Sequence, residues 1–164
     1  MKMEEHKRHS YRLKFSVVTV STTRNEKNDE SGRLIMDILE KNGIEVSHYS
    51  IVKDDILEIR NALFSSAKRS DVIIFNGGTG ISKNDVTPEA LTPFLRHIPG
   101  FGEMFRLLSY QEIGVSAMMS RAIAGIFNGK VVFAIPGSPS ACRLAVERII
   151  LPEINHIWYE INKE

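Results

Sequence analysis

Three short runs, "FSVVTV" (15–20), "DVIIF" (71–75) and "KVVFAI" (130–135), are apolar at consecutive rather than alternate positions. A strand with one wet face alternates; a strand covered on both faces does not have to. Each run therefore has to be sandwiched, and the chain must supply helices for both sides. It does so in order. "SGRLIMDILEKNG" sets Leu34, Ile35, Ile38 and Leu39 on one helical stripe, with Gly43 placed to close the helix. "IEVSHYSIV" reads as a second strand. Asp54 and Asp55 open a helical segment carrying Ile56, Ile59, Leu63 and Phe64. A β-α-β-α-β order with short connections predicts a mostly parallel sheet with helices on both faces.

Downstream, the spacing predicts a helix over Pro88 to Leu95 and another within "PGFGEMFRLLSYQEIG". "VSAMMSRAIAGIFNG" reads as a loop with a short helical or extended piece. Ser138 is a good N-cap and Pro139 a good first helical residue; a last helix is expected from Pro152. Residues 1–13 read as a polar arm and 14–164 as a single domain. Among Met104, Phe105, Met118 and Met119, core packing is the first expectation and a subunit contact the second.

Composition narrows the partners. A formal net charge of +1, with 43% hydrophobic and 25% charged residues, supplies no global field for nucleic acid or a membrane surface. The lone Cys142 excludes an intrachain disulfide and a Cys-rich zinc site, and fits a reducing interior. Neither a signal peptide nor a membrane-spanning run is evident, so a cytoplasmic location is expected. His6 and His9 lie in the charged arm and read as solvated.

In an open α/β sheet, ligands bind beyond the carboxyl ends of the strands. Three loops occupy that position: Lys53 to Asp55, Asn76 to Asp85, and Pro136 to Ser140. The stretch "FNGGTGISKNDVTPEA" leaves a buried strand through Gly77, Gly78 and Gly80. Glycines let successive N–H groups converge on an anion, and Thr79 adds a hydroxyl; a tight turn needing positive φ is the alternative. The P-loop pattern fails because Gly129-Lys130 precedes Val131, and the dinucleotide pattern fails because Lys83 stands where a third glycine is required. Thr87, Pro88 and the Val86–Leu91 pair already specify a helix start, with Glu89 in its first turn. Asp85 is thus not needed for capping. An acid beside a phosphate nest calls for a cation, and Mg²⁺ suits one or two carboxylates plus phosphate oxygens. The alternative for Asp85 is an Asx-turn, and for Asp54 an N-cap, although Asp54 ends a strand on the same rim.

"GGTGISKNDVTPEA", "GFGEMFRLLSYQEIG", "SRAIAG" and "PGSPSACRLA", in that order, closely resemble the MoaB/MogA family of molybdenum-cofactor biosynthesis proteins, over about Phe15 to Pro152. "FRLLSYQEIG" and "SACRLA" look more like MoaB than MogA. The resemblance implies a three-layer α/β/α fold with a Rossmann-like sheet, assembled as a trimer or hexamer. It implies molybdopterin adenylyltransferase activity, in which Mg-ATP and molybdopterin give adenylylated molybdopterin and pyrophosphate. The family's essential acids, which would also hold Mg²⁺, fall on Asp54 and Asp85. Its phosphate and pterin contacts fall on Gly77, Gly78, Thr79, Gly80, Ser120, Arg121, Pro136, Gly137 and Ser138. A downstream molybdenum-insertion protein is an expected partner. Two departures stand out: Thr22 replaces a usual Asp, and Asn84 a usual Arg, with Lys83 beside it as a point charge. They favour the alternative of a non-catalytic molybdopterin-binding or scaffold protein. A nicotinamide oxidoreductase is disfavoured by the failed glycine spacing.

Overall fold

A computed structural model of the chain describes residues 10–164. The segment 1–9, with His6 and His9, lies outside the described residues. Strands β1 (Lys14–Val20), β2 (Glu45–Val52), β3 (Val72–Asn76) and β6 (Lys130–Ile135) run parallel. Strands β4 (Arg96–His97) and β5 (Ile123–Phe127) extend one edge antiparallel, giving a six-stranded sheet in the order β2-β1-β3-β6-β5-β4. Helices α1 (Glu30–Lys41), α4 (Pro99–Ile113), α5 (Pro139–Ala145) and α6 (Leu151–Asn162) cover one face. Helices α2 (Ile56–Ala67) and α3 (Thr87–Leu91) cover the other. The result is the expected three-layer α/β/α architecture.

The side chains explain the unbroken apolar runs. In β1, Phe15 and Val17 enter the core under α1, α4 and α5, whereas Val18 and Val20 enter the core under α2 and α3. Strand β3 divides the same way, with Val72 and Ile74 against Ile73 and Phe75, and β6 follows. Each run is two period-2 patterns interleaved, one per face.

Several expectations are corrected. Leu13, assigned to the arm, is buried in the core, and the Tyr11 N–H donates to Asn155 Oδ1 at 3.1 Å, so the chain is docked from there on. The stretch from Val115 to Gly129 holds a 3₁₀ segment (Gly114–Met119) and then β5, joined to β6 by a two-residue turn in which Asn128 and Gly129 have φ of +47° and +73°. That is the Asn-Gly hairpin geometry. The helix predicted to reach Leu95 ends at Leu91, passing through a 3₁₀ turn, Thr92–Phe94, into the edge strand β4. Helices α5 and α6 are continuous through a π-helical stretch, Val146–Ile150, so the last helix does not start afresh at Pro152. Phe105 is core, but Met104, Met118 and Met119 are exposed beside Leu107, Tyr110, Ile113 and Val115. No helix among the described residues is long and apolar enough to cross a membrane.

Candidate active site

The chain passes from β1 through α1 to β2 on one side, then places β3 on the other side of β1. This reversal opens a crevice at the carboxyl ends of β1 and β3, where the connecting loops diverge. Four loop segments meet along that rim: 21–29 after β1, 53–55 after β2, 77–85 after β3 and 136–138 after β6.

The glycines after β3 make room first for the protein itself. Gly77 has φ of +105°, and a Cβ there would lie 2.3 Å from the Val20 carbonyl oxygen. Its N–H donates to Ile135 O at 2.9 Å, tying the loop to β6. A Cβ on Gly78, at φ +70°, would meet Thr87 Oγ1 at 2.4 Å and Asp54 Oδ1 at 3.4 Å; one on Gly80 would meet Asp85 Oδ2 at 2.7 Å. Both acids therefore press against this loop.

The loop's carbonyls are all turned inward. Gly77 O accepts from Thr87 Oγ1 at 2.8 Å and Gly78 O from the Thr87 N–H at 3.1 Å. Thr79 O accepts from the Arg121 N–H, and Gly80 O from Arg121 Nε, each at 2.8 Å. The N–H groups of Gly78, Thr79 and Gly80 find no acceptor among the described residues. Thr79 Oγ1, nearly fully buried, is likewise unpartnered. A backbone that spends its acceptors internally and leaves its donors over has the polarity to receive an anion.

The acids have distinct settings. Asp55, not Asp54, caps α2: its carboxylate accepts from the Glu58 N–H at 3.0 Å. Asp54 is thereby released from the capping alternative. Its Oδ2 accepts from Thr22, through N–H at 3.0 Å and Oγ1 at 2.8 Å, while Oδ1 points toward Gly78 with no donor among the described residues. Asp85 does not form the Asx-turn alternative, because the Thr87 N–H donates to Gly78 O; its Oδ2 instead accepts from the N–H of Ser82, three residues earlier, at 2.9 Å. Thr87 is a helical residue whose hydroxyl serves Gly77 O rather than a cap. Among the described residues no three His, Cys, Asp or Glu side chains come together. A divalent cation here would have at most two carboxylates, with the remaining ligands from substrate or water, a set that Mg²⁺ accepts.

Arg121 is committed to structure. Its guanidinium donates to Gly80 O and Asp85 O, each at 2.8 Å, and pairs with Glu89. That bond holds the Glu89 carboxyl below the usual carboxylate range. Arg121 thus braces the 77–85 loop through three of its five N–H donors. Ser120 and Arg121 line a separate cleft of about 490 Å³ between α3, α4 and β5, which neither Asp54 nor Asp85 lines. The 136–138 turn does reach the rim, since a Cβ on Gly137 would lie 3.2 Å from Gly77 Cα. Pro136 O accepts from Cys142 Sγ at 3.2 Å, and Ser138 Oγ caps α5 by accepting from the Ala141 N–H at 3.3 Å.

One cluster was not anticipated. Asp29, the N-cap of α1, is buried and accepts from Thr19 Oγ1 at 2.6 Å, from the Gly32 N–H at 3.0 Å and from the Tyr49 hydroxyl. Burial, then the bond to Asp29, push the Tyr49 phenol well above its ordinary pKa. Arg24 NH1 lies 3.8 Å from Asp29 Oδ1, and Arg24 NH2 donates to Gly137 O at 3.1 Å. The "NDESG" string carried the local signal, an acid three residues before a helical glycine. Nothing local announced the link to Gly137.

Residues 16–156 match the family model described as "Probable molybdopterin binding domain". The chain is 46% identical, over the whole of both chains, to the Molybdenum cofactor biosynthesis protein B of Bacillus anthracis, and 43% identical to that of Bacillus subtilis over all of this chain and 99% of the other. Among solved structures, a Molybdenum cofactor biosynthesis protein B superposes with TM-score 0.91 at 46% identity, covering 96% of this chain and 100% of that one. The tungsten cofactor synthesizing protein MoaB of Pyrococcus furiosus superposes with TM-score 0.87 at 40% identity, covering 94% and 100%. A MogA structure follows at TM-score 0.82 and 28% identity, covering 90% and 99%. Motifs, topology and near-complete coverage agree, and the chain belongs to the MoaB/MogA family of molybdenum-cofactor biosynthesis proteins.

Proposed function

We propose that this protein binds molybdopterin and Mg-ATP across the β1/β3 rim and transfers adenylyl from one to the other. The observation that carries the reading is the 77–80 loop, whose carbonyls are consumed by Thr87 and Arg121 while the N–H groups of Gly78, Thr79 and Gly80 remain beside two carboxylates. In the reaction, an oxygen of the pterin's terminal phosphate forms a bond to the α-phosphorus of ATP. The bond from that phosphorus to the β-phosphate bridging oxygen breaks, and pyrophosphate leaves with the electron pair. Both reactants are anions, so the site has to align and neutralise them rather than supply covalent chemistry. Magnesium, held by Asp54 and Asp85 with phosphate oxygens, would supply the neutralising charge.

The chain's own contribution is positioning. Gly78, Thr79 and Gly80 present amides to a phosphate, and Thr79 Oγ1 offers a further donor. Thr22 holds one oxygen of Asp54 and leaves the other facing the loop. Arg121 keeps the loop's donors outward. Ser120 and Ser138 serve the pterin or its phosphate. Replacing Asp85 with Ala is expected to lower turnover by roughly 10²–10³, the loss typical of removing one preorganised electrostatic contact. Pyrophosphate release from Mg-ATP and molybdopterin measures it. A D85A variant turning over at the wild-type rate refutes the role of the acid.

A second reading, a non-catalytic molybdopterin-binding or scaffold protein, is favoured by Thr22, which sits with both donors on Asp54 Oδ2 and leaves that acid half engaged. Wild-type protein that binds molybdopterin but releases no pyrophosphate selects it. The exposed row Met104, Leu107, Tyr110, Ile113, Val115 and Met118 fits burial in a homotrimer or hexamer, which sedimentation velocity tests. The adenylylated product, in this reading, passes to a downstream molybdenum-insertion protein.

A further inference from the structure

We propose that Arg24 is a substrate contact on this rim, offering its guanidinium to the phosphate of the bound anion, and that Asp29 is the positioning residue that aims it; the proposal rests on the phosphate-binding reading above. Arg24 lies in the loop after β1, the strand at which the sheet order reverses. The position a Gly137 Cβ would take is 3.6 Å from Arg24 NH1 and 3.2 Å from Gly77 Cα, so Gly137 bridges the guanidinium and the start of the glycine loop. Its side chain is 32% exposed. A guanidinium carries five N–H donors in a planar fork. Among the described residues only NH2 of this one donates to the protein, to Gly137 O at 3.1 Å. The other donors are left at the rim.

The geometry of Asp29 explains how that fork is held. A buried carboxylate needs hydrogen bonds and a countercharge. The hydrogen bonds come from Thr19, Gly32 and Tyr49, and Thr19 Oγ1 itself accepts from Asn76 Nδ2 at 2.9 Å. The countercharge is Arg24, at 3.8 Å an ion pair rather than a hydrogen bond. Asp29 therefore directs the guanidinium without occupying its donors. Ser31 Oγ also donates to Gly137 O, fixing the third corner of the arrangement. The other arginine near the loop, Arg121, is committed to Gly80, Asp85 and Glu89, and position 84 is Asn. Arg24 supplies the forked cation that a phosphate accepts in bidentate fashion.

The test uses the full chain as wild type, Arg24→Gln, Arg24→Lys, Asp29→Asn and the Arg24→Gln/Asp29→Asn double variant. Arg143→Gln, an exposed ion pair with Glu147 on α5, is the charge control. Mg-ATP and molybdopterin are titrated separately at low and high salt, alongside kcat, KM and the thermal midpoint. R24Q is expected to loosen one phosphate ligand roughly ten- to hundredfold, as for loss of a charge-assisted hydrogen bond, and to flatten its salt dependence. R24K recovers part of the loss, and D29N approaches R24Q. The double variant is no worse than R24Q, because both act through one guanidinium. The ligand that weakens identifies which phosphate Arg24 contacts. R24Q binding both ligands as wild type does overturns the proposal; should D29N fail to fold, the Arg24 series decides alone. Wild type that binds but releases no pyrophosphate overturns adenylyl transfer while leaving the Arg24 titration decisive. Wild type that binds neither ligand overturns both.

Discussion

Replacing Gly77 with Ala asks whether the glycine loop is shaped by its ligand or by its own neighbours. At φ +105° the position lies outside the small left-handed region open to L-residues, and a Cβ would sit 2.3 Å from Val20 O. That oxygen belongs to the last residue of β1, which is paired to Val52 of β2 and has little freedom to retreat. Relief has to come from Gly77, at the expense of its 2.9 Å bond to Ile135 O. The strained backbone costs roughly 1–3 kcal/mol and the lost bond about 0.5–1.5 kcal/mol, so a total of about 2–4 kcal/mol is expected. For a chain of 164 residues this is a fall in Tm of roughly 5–15 °C. Gly43→Ala is the reference, because Gly43 also has positive φ, +72°, but no atom within 4 Å of a Cβ. It carries only the left-handed backbone cost of roughly 1–2 kcal/mol. Urea denaturation followed by circular dichroism compares the two variants, with unchanged m-values as the condition for reading midpoints as stability. If G77A is destabilised no more than G43A, within about 0.5 kcal/mol, the close approach to β1 is not what demands glycine there.

Arg121→Lys keeps the charge but loses the fork that holds Gly80 O and Asp85 O. The 77–85 loop should open more readily, and tryptic cleavage after the exposed Lys83 should accelerate roughly tenfold or more; an unchanged rate refutes the bracing role. Burial pushes the Cys142 thiol up to about 12 from 9.0, and Tyr49 is raised above 10.0. Both folded pKa values are raised, so their stabilisation is complete below the unfolded values and is lost as pH rises. The urea midpoint should therefore be flat through pH 8 and fall above pH ~9, by at most about 1.36 kcal/mol per pH unit for each group. Cys142→Ala should flatten the first part of that decline, and a slope unchanged by the substitution rejects the assignment. In the native state near pH 8, Cys142 should also resist a soluble thiol reagent that labels the unfolded chain.

The legibility of the chain varied with the range of the interactions involved. The interleaved patterns of "FSVVTV" and "VVFAI" announced strands covered on both faces, and Val17 and Val18 do enter opposite cores. The α1 stripe and the Ser138–Pro139 helix start were equally plain, because caps and amphipathic periods act within a few residues. Asp54 and Asp55 are adjacent carboxylates with the same local propensity, and only the fold shows that Asp55 caps while Asp54 turns to Thr22 and Gly78. The Asn128–Gly129 hairpin was written in the sequence but lay behind "AIAG", whose small residues obscure the alternation of an antiparallel strand. Strand β4 has two residues and exists only because β5 is there to pair with it.

Local order along the chain, the two-sided burial of its strands and the crowding of glycines and acids after β3 follow from residue types and spacings alone. The assignment of Arg121 as a brace, and the meeting of Arg24 with Gly137 across 113 positions, do not. Such contacts depend on which strands become neighbours and where their connecting loops then diverge. That choice is a property of the assembled sheet, whose pairing joins segments that no short window of sequence contains.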